Sequence, residues 1–280
     1  MDRYAVVGYP IAHSRSPEIH AMFARATGQA MTYERLGPDP EGFEEAVLRF
    51  REEGGKGLNV TLPFKERAFA LARSCSSRAG VVGAANTLDF RAEGIFADNT
   101  DGAGLIRDLT RNLGFSLAGQ DVLLVGAGGA ARGVLPALLD GSVSRIVVAN
   151  RTPARALALL QDLGRDGGIP REILHRCVGC GFDALPPGPY TLVINATSGS
   201  LEGEIPALPE GVYGKAMLVY DMVYGKEPTP FLKKAQALGA RQTADGLGML
   251  VEQAAESFYL WRQVYPDTGA VLQQLRSRLE

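Results

Sequence analysis

Asp121-Val122-Leu123-Leu124-Val125-Gly126-Ala127-Gly128-Gly129-Ala130-Ala131 is the stretch that decides how this chain folds. Asp121 to Val125 reads as a buried parallel strand, short and apolar. The glycines after it let the backbone turn tightly into a helix that the pattern carries to about Asp140. A second apolar run, Ile146-Val147-Val148-Ala149, reads as the next strand. Strand, glycine turn, helix and strand in that order form the context in which such a turn cradles a pyrophosphate at a helix N-terminus. The plain alternative is a tight strand-to-helix turn with no ligand.

The second strand ends in Asn150-Arg151-Thr152, where an NAD-binding fold usually places Asp or Glu. An acid there accepts hydrogen bonds from the adenosine ribose and repels a phosphate. An arginine does the reverse, because its planar fork suits phosphate oxygens. The expected cofactor is therefore NADP.

Composition narrows the class without identifying it. A length of 280 residues suggests about two domains and allows a substantial core. Lys plus Arg (29) nearly balances Asp plus Glu (31), which gives no support for a nucleic-acid or membrane partner. No apolar run approaches the roughly 20 residues of a membrane span. Met1-Asp2-Arg3-Tyr4 leads straight into a strand, so no signal peptide is expected. Three cysteines argue against a disulfide framework. Cys177 and Cys180, with His175 nearby, supply too few ligands for a zinc site, and no metal is expected.

Outward from the glycine turn, the pattern alternates strand and helix, as in an α/β protein. Tyr4–Val7 reads as a strand. Ser16 reads as an N-cap with Pro17 at the first helical position. Met31–Leu36 alternates like a strand, and Phe43, Val47 and Phe50 mark the buried stripe of a helix. Leu58–Leu62 is a strand and Phe64–Ala72 a short helix. Asn86–Phe90 and Ile95–Ala97 flank a hairpin turn, and Thr100 caps a helix to about Asn112. Later strands are expected at Ile173–Val178, Leu192–Asn195 and Met217–Asp221. Thr229-Pro230 opens another helix. The tail reads as a long helix from about Asp245 to Arg262 and a last one from about Thr268. The expected domains are 1–102 for substrate, a Rossmann-like cofactor domain over 103–240, and C-terminal helices over 241–280 that return to the first domain.

The first domain carries polar residues in unusual places. His13-Ser14-Arg15-Ser16 follows a strand end. Asn59 and Thr61 alternate with Val60 and Leu62, so both face one side of their strand. Lys65 opens a helix, where the helix dipole disfavours a cation unless a carboxylate or ligand compensates. Asp101 lies in the first turn of a later helix, a place that suits an acid for structural reasons alone. Asn86 opens a strand and reads equally well as a turn residue.

These segments carry a resemblance. The chain resembles shikimate dehydrogenases along nearly its full length. The matching motifs are Pro10-Ile11-Ala12-His13-Ser14-Arg15-Ser16-Pro17, Asn59-Val60-Thr61-Leu62-Pro63-Phe64-Lys65, Gly83-Ala84-Ala85-Asn86-Thr87 and Asn99-Thr100-Asp101-Gly102. They continue with the glycine turn, Asn150-Arg151-Thr152, Asn195-Ala196-Thr197-Ser198, Asp221-Met222-Val223-Tyr224, and the run from Asp245 to Gln253.

The resemblance implies reversible, NADPH-dependent reduction of 3-dehydroshikimate to shikimate, on the route to chorismate and the aromatic amino acids. It implies Lys65 and Asp101 as the catalytic pair. Ser14 and Ser16 are implied to bind the substrate carboxylate, with help from Tyr224. Thr61, Asn86 and Gln253 are implied to bind ring hydroxyls together with Lys65 and Asp101. Asn59 belongs to the same motif, more as an orienting residue than as a ligand. For the cofactor, the implied residues are Gly126, Ala127, Gly128, Gly129 and Ala130 at the pyrophosphate. Asn150, Arg151, Thr152 and Arg155 surround the 2′-phosphate. Thr197, Ser198, Met222 and Gly246 lie at the nicotinamide half.

Solvated or core roles are the alternatives for Arg155 and Met222. His13 and His20 are expected to make local hydrogen bonds, because a lysine already fills the acid–base task. Substrate and cofactor on separate domains imply a cleft that closes on the ligands. A cytoplasmic monomer or homodimer is implied, with a small-molecule substrate. Three alternatives stay open: a quinate/shikimate dehydrogenase with relaxed substrate or cofactor use, a related dehydrogenase acting on an amino-substituted substrate, and a non-catalytic NADP-binding sensor.

Overall fold

Apolar runs broken by glycine, proline and polar turns resolve into two α/β units in a computed structural model, which describes residues 1–165 and 168–279. One unit comprises Met1–Gly104 and Val251–Gln274; the other comprises Leu105–Leu250 and the chain from Leu275 onward.

In the first unit the strands are β1 (Asp2–Val7), β2 (Met31–Leu36), β3 (Gly55–Val60), β4 (Ser74–Cys75), β5 (Thr87–Arg91) and β6 (Gly94–Asp98). They form one mixed sheet in the order β2-β1-β3-β5-β6-β4. β1 runs parallel to β2 and β3, while β5 is antiparallel to both β3 and β6, as expected of the hairpin. The helices are α1 (Ser16–Thr27), α2 (Phe43–Glu52), α3 (Lys65–Ala70), α4 (Ser77–Val82) and the start of α5 (Asp101–Arg107). The stripe of Phe43, Val47 and Phe50 on α2 packs with Val7, Leu58, Phe64 and Leu88 in one core. Burial of that stripe is what holds α2, since ten residues are too few for a helix to persist alone in water.

In the second unit β7 (Asp121–Val125), β8 (Arg145–Ala149), β9 (Cys177–Cys180), β10 (Leu192–Asn195), β11 (Leu218–Asp221) and β12 (Thr243–Asp245) form a wholly parallel sheet. Its order is β12-β11-β10-β7-β8-β9. Strand order therefore reverses between β7 and β10, which is the switch point where a doubly wound sheet opens a crevice for a ligand. The connecting helices are α6 (Gly129–Asp140), α7 (Pro153–Leu163), α8 (Arg171–Leu174) and α9 (Pro230–Ala237). Near-continuous burial of β7, β8, β10 and β11 explains why these strands read as unbroken apolar runs. Two further helices, α10 (Leu247–Arg262) and α11 (Thr268–Leu279), complete the chain. No helix among the described residues is long and apolar enough to cross a membrane.

The structure departs from the sequence pattern at several local points. Ser16 is the first residue of α1 rather than its cap, which is Arg15; the Ser16 amide instead donates to the Ser14 hydroxyl at 3.3 Å. Thr100 directly precedes α5, and its carbonyl accepts the Gly104 amide at 2.9 Å. Asn99 Oδ1 accepts the Asp101 amide at 3.2 Å, and the Thr100 hydroxyl donates to the Gln253 carbonyl at 3.0 Å. The apolar pair Ile173-Leu174 belongs to α8 rather than to a strand, because Pro170 starts a helical turn whose carbonyl accepts from both amides. The residues from Thr243 to Asp245 form a strand that periodicity does not announce, since its pairing comes from β11.

Candidate active site

The glycine turn and the residues after β8 gather in the second unit. Gly126 has a φ of +108°, and a side chain there would press on Thr197 and the Ala196 carbonyl. Only glycine accommodates both the left-handed backbone and that approach, and the contact joins the ends of β7 and β10 at the switch point. Gly128 caps α6 with no side chain on the first N–H groups, and space around Gly128 and Gly129 is open. The helix start thus offers unpaired N–H donors to an anion.

Asn150 follows β8 and its amide donates to the Thr152 carbonyl at 2.9 Å. That bond shapes the turn before α7, which begins at Pro153. Arg151, Thr152 and Arg155 are all exposed, and neither arginine pairs with a carboxylate among the described residues. Two unneutralised guanidiniums beside a helix start suit a phosphate. Met222 and Gly246 approach closely: a side chain at Gly246 would collide with the Met222 carbonyl. Tyr224 lies two residues beyond Met222 and is half-buried.

In the first unit, Lys65 opens α3 and Asp101 opens α5, 36 residues apart in sequence. Lys65 Nζ donates to Asp101 Oδ2 at 2.5 Å, with side chains 22% and 10% exposed. The carboxylate supplies the compensation that a lysine at a helix start requires. Asn86 Nδ2 donates to the other oxygen, Asp101 Oδ1, at 2.8 Å, and also approaches Gln253 Oε1 at 3.2 Å. Asn86 Oδ1 accepts the Thr100 amide at 2.8 Å, so the same side chain fixes the backbone entering α5.

Asn59 is enclosed behind this group. Its Oδ1 accepts from the Tyr33 hydroxyl at 2.7 Å and meets His20 Nε2 at 3.2 Å. Its Nδ2 donates toward the Asn86 carbonyl, Thr87 Oγ1 and Ser257 Oγ. With both polar atoms engaged and 6% exposure, Asn59 braces the cluster from inside. His20 stacks on Tyr33 with ring centroids 4.2 Å apart. Burial lowers its pKa to about 3, against the opposing bond to Asn59, so the ring is neutral.

Ser14 and Ser16 face each other, with hydroxyls 3.3 Å apart. Arg15 between them turns aside to Glu18 at 2.9 Å. Arg35, on β2, donates twice to the Ser14 carbonyl, at 3.1 and 2.6 Å. Thr61 follows β3 and remains half-buried, its amide donating to the Val7 carbonyl at 2.9 Å.

Thus Lys65, Asn86, Asp101, Gln253 and Asn59 form one connected group, and Ser14 and Ser16 form a second. Gly126 with Thr197, Met222 with Gly246, and the turn from Asn150 to Arg155 form the groups of the other unit. Arg35, Tyr33 and Ser257 were not foreseen as parts of the site, and Thr100 was foreseen only as a helix cap. A strand arginine and a helix serine look like ordinary residues until their partners are known.

Cys177 and Cys180 lie on the edge strand β9, and burial pushes the Cys177 thiol up to about 11, which disfavours the reactive thiolate.

Comparison with known proteins matches three stretches of the chain. Residues 6–88 match the model of the shikimate dehydrogenase substrate binding domain. Residues 108–174 match shikimate / quinate 5-dehydrogenase, and residues 246–276 match the shikimate 5′-dehydrogenase C-terminal domain. A shikimate dehydrogenase (NADP(+)) of Aromatoleum aromaticum is 55% identical over 280 residues, covering 100% of this chain and 99% of that protein. The crystal structure of an Ael1 enzyme from Pseudomonas putida superposes with a TM-score of 0.91 at 48% identity, covering 100% of both chains. A shikimate 5-dehydrogenase from Thermus thermophilus, solved with NADP(H) and shikimate, gives a TM-score of 0.85 at 33% identity over 100% of both chains.

Proposed function

The chain belongs to the shikimate dehydrogenase family, and from that premise we propose that it catalyses the reversible, NADPH-dependent reduction of 3-dehydroshikimate to shikimate, with Lys65 and Asp101 as its catalytic pair. It is an oxidoreductase of chorismate and aromatic amino acid biosynthesis. The observation that carries the reading is the Lys65–Asp101 pair at 2.5 Å, held from the other side by Asn86.

NADPH supplies the hydride when bound. Residues Gly126 to Ala130 and the start of α6 would hold its pyrophosphate, the turn from Asn150 to Arg155 its 2′-phosphate, and Thr197, Ser198, Met222 and Gly246 its nicotinamide half. Open space at Gly128 and Gly129, and two arginines with no carboxylate partner among the described residues, support that fit.

Ser14 and Ser16 donate to the substrate carboxylate, joined by Tyr224, and the two bonds from Arg35 hold the Ser14 backbone in place. Thr61, Asn86 and Gln253 bind the ring hydroxyls. As negative charge builds on the ketone oxygen, the Lys65 ammonium stabilises it and gives up a proton. In the oxidising direction neutral Lys65 takes that proton back. Asp101 aims Nζ and accepts from a neighbouring substrate hydroxyl. General acid–base action of this kind is worth about 10²–10⁴-fold. The same reading makes the enzyme cytoplasmic and either monomeric or homodimeric.

The test is reduced-nicotinamide absorbance after mixing the protein with shikimate and NADP, against NAD and against quinate. Signal with shikimate and NADP alone supports the reading. Comparable signal with quinate or NAD moves the enzyme to the relaxed quinate/shikimate group, and no signal in any combination overturns the assignment.

A further inference from the structure

Asp221 ends β11 with no exposed surface, and no cation among the described residues pairs with it. A buried carboxylate without a counter-ion persists only where donors replace its hydration. Four do so here. Asn195 Nδ2 and the Val223 amide donate to Oδ1, each at 3.1 Å. Ser200 and Thr229 hydroxyls donate to Oδ2 at 2.7 and 2.6 Å. Burial pushes the pKa of Asp221 up, and these four bonds pull the other way.

The donors come from both loops at the carboxyl ends of two neighbouring strands. Asn195 ends β10, and its own Oδ1 accepts from the Thr197 amide and hydroxyl at 3.1 and 2.7 Å. Ser200 closes the loop that carries Thr197 and Ser198. Val223 follows Met222 directly. Thr229 closes the loop beyond Tyr224 and also caps α9 by accepting the Leu232 amide at 3.3 Å. One carboxylate therefore ties the side chains of the two loops together beyond the end of the ladder, whose last bond runs from the Met222 amide to the Asn195 carbonyl at 2.9 Å.

We infer that Asp221 is a positioning residue for the nicotinamide half of the bound cofactor, acting by tying the Thr197-Ser198 loop to the Met222-Tyr224 loop. The inference rests on the reading that these loops hold the nicotinamide. Asp221 touches neither cofactor nor substrate in this account.

The two halves of the cofactor separate this role from a general structural one. Adenosine 2′,5′-bisphosphate carries only the half assigned to Asn150–Arg155, whereas NADP needs both. Affinities for the two ligands, with kcat and KM for NADP, are measured for wild type, Ser200→Ala, Asp221→Ala and Asp221→Asn. Ser200→Ala removes one tie and leaves the carboxylate three donors. It should bind the bisphosphate as wild type does but NADP about fivefold more weakly, the worth of one hydrogen bond, with a lower kcat. Asp221→Ala should show the same split, larger. Asp221→Asn should restore most of the loss. Its carbonyl still accepts from Asn195 and Val223, and its NH₂ can donate to the two hydroxyls, which then act as acceptors.

Unchanged NADP affinity and kcat in Ser200→Ala and Asp221→Ala would overturn the inference, as would equal loss of both ligands. If Asp221→Ala does not fold, Ser200→Ala decides. Wild-type protein that neither binds NADP nor turns over shikimate would instead defeat the functional reading.

Discussion

Asn86 holds one oxygen of Asp101 at 2.8 Å and leaves the other to Lys65 at 2.5 Å, so a single carboxamide sets the direction in which the ion pair lies. The carboxylate cannot rotate without breaking one of the two bonds. Lys65 is thereby aimed by a residue 21 positions away that never needs to titrate.

Lys65→Ala should lower kcat by about 10²–10⁴-fold, the usual worth of a general acid–base group. Affinity for NADP should be unchanged, because every assigned cofactor residue lies elsewhere. Steady-state kinetics with shikimate, alongside direct cofactor binding, checks both. A loss below threefold would remove Lys65 from the acid–base role.

Asn86→Ala should cost stability as well as rate. The substitution strips the Thr100 amide of its acceptor inside a buried region. An unsatisfied buried donor costs about 1–3 kcal/mol, which urea unfolding would resolve as a lower midpoint at unchanged slope. Activity per folded molecule should drop too, since Asp101 is then held by Lys65 alone and loses the bond that fixes its orientation.

Arg151→Ala and Arg155→Ala should weaken NADP while leaving NAD almost unaffected. A hydrogen bond to a charged group is worth about 1.5–3 kcal/mol, or about tenfold or more in KM for NADP. Both arginines are exposed, so salt should also raise the wild-type KM, and less so in the variants. Equal changes for NADP and NAD would place neither arginine at the 2′-phosphate.

His20 predicts how stability follows pH. Its pKa falls from 6.5 in the open chain to about 3 in the fold, because burial disfavours the charged ring. Between those values the unfolded chain binds a proton that the native state refuses, so the contribution of His20 to stability falls as pH drops from about 6.5 towards 3. His20→Phe keeps the stacking on Tyr33 and removes the titration. Its melting temperature should decline less steeply than wild type between neutral pH and about pH 4, and parallel curves would contradict the account.

The sequence by itself determined the elements whose cause is local or periodic. The apolar runs of β7, β8, β10 and β11, the Phe43-Val47-Phe50 stripe of α2 and the Thr229-Pro230 start of α9 all appear where the pattern puts them. The glycine turn was equally legible, because the positive φ at Gly126 is a property of a single residue. Tertiary structure alone decided which polar groups meet. Asn59 and Ser257 are 198 residues apart and share a hydrogen bond at 2.8 Å. Arg276 on α11 pairs with Asp245 at the end of β12, a strand that exists only because β11 offers it a ladder. Asp221 reads as an ordinary strand-end acid until four donors from two loops converge on it. Backbone preference and hydrophobic period act over a few residues and are written in order along the chain. A hydrogen bond depends on distance and angle in space, which only the packed fold supplies.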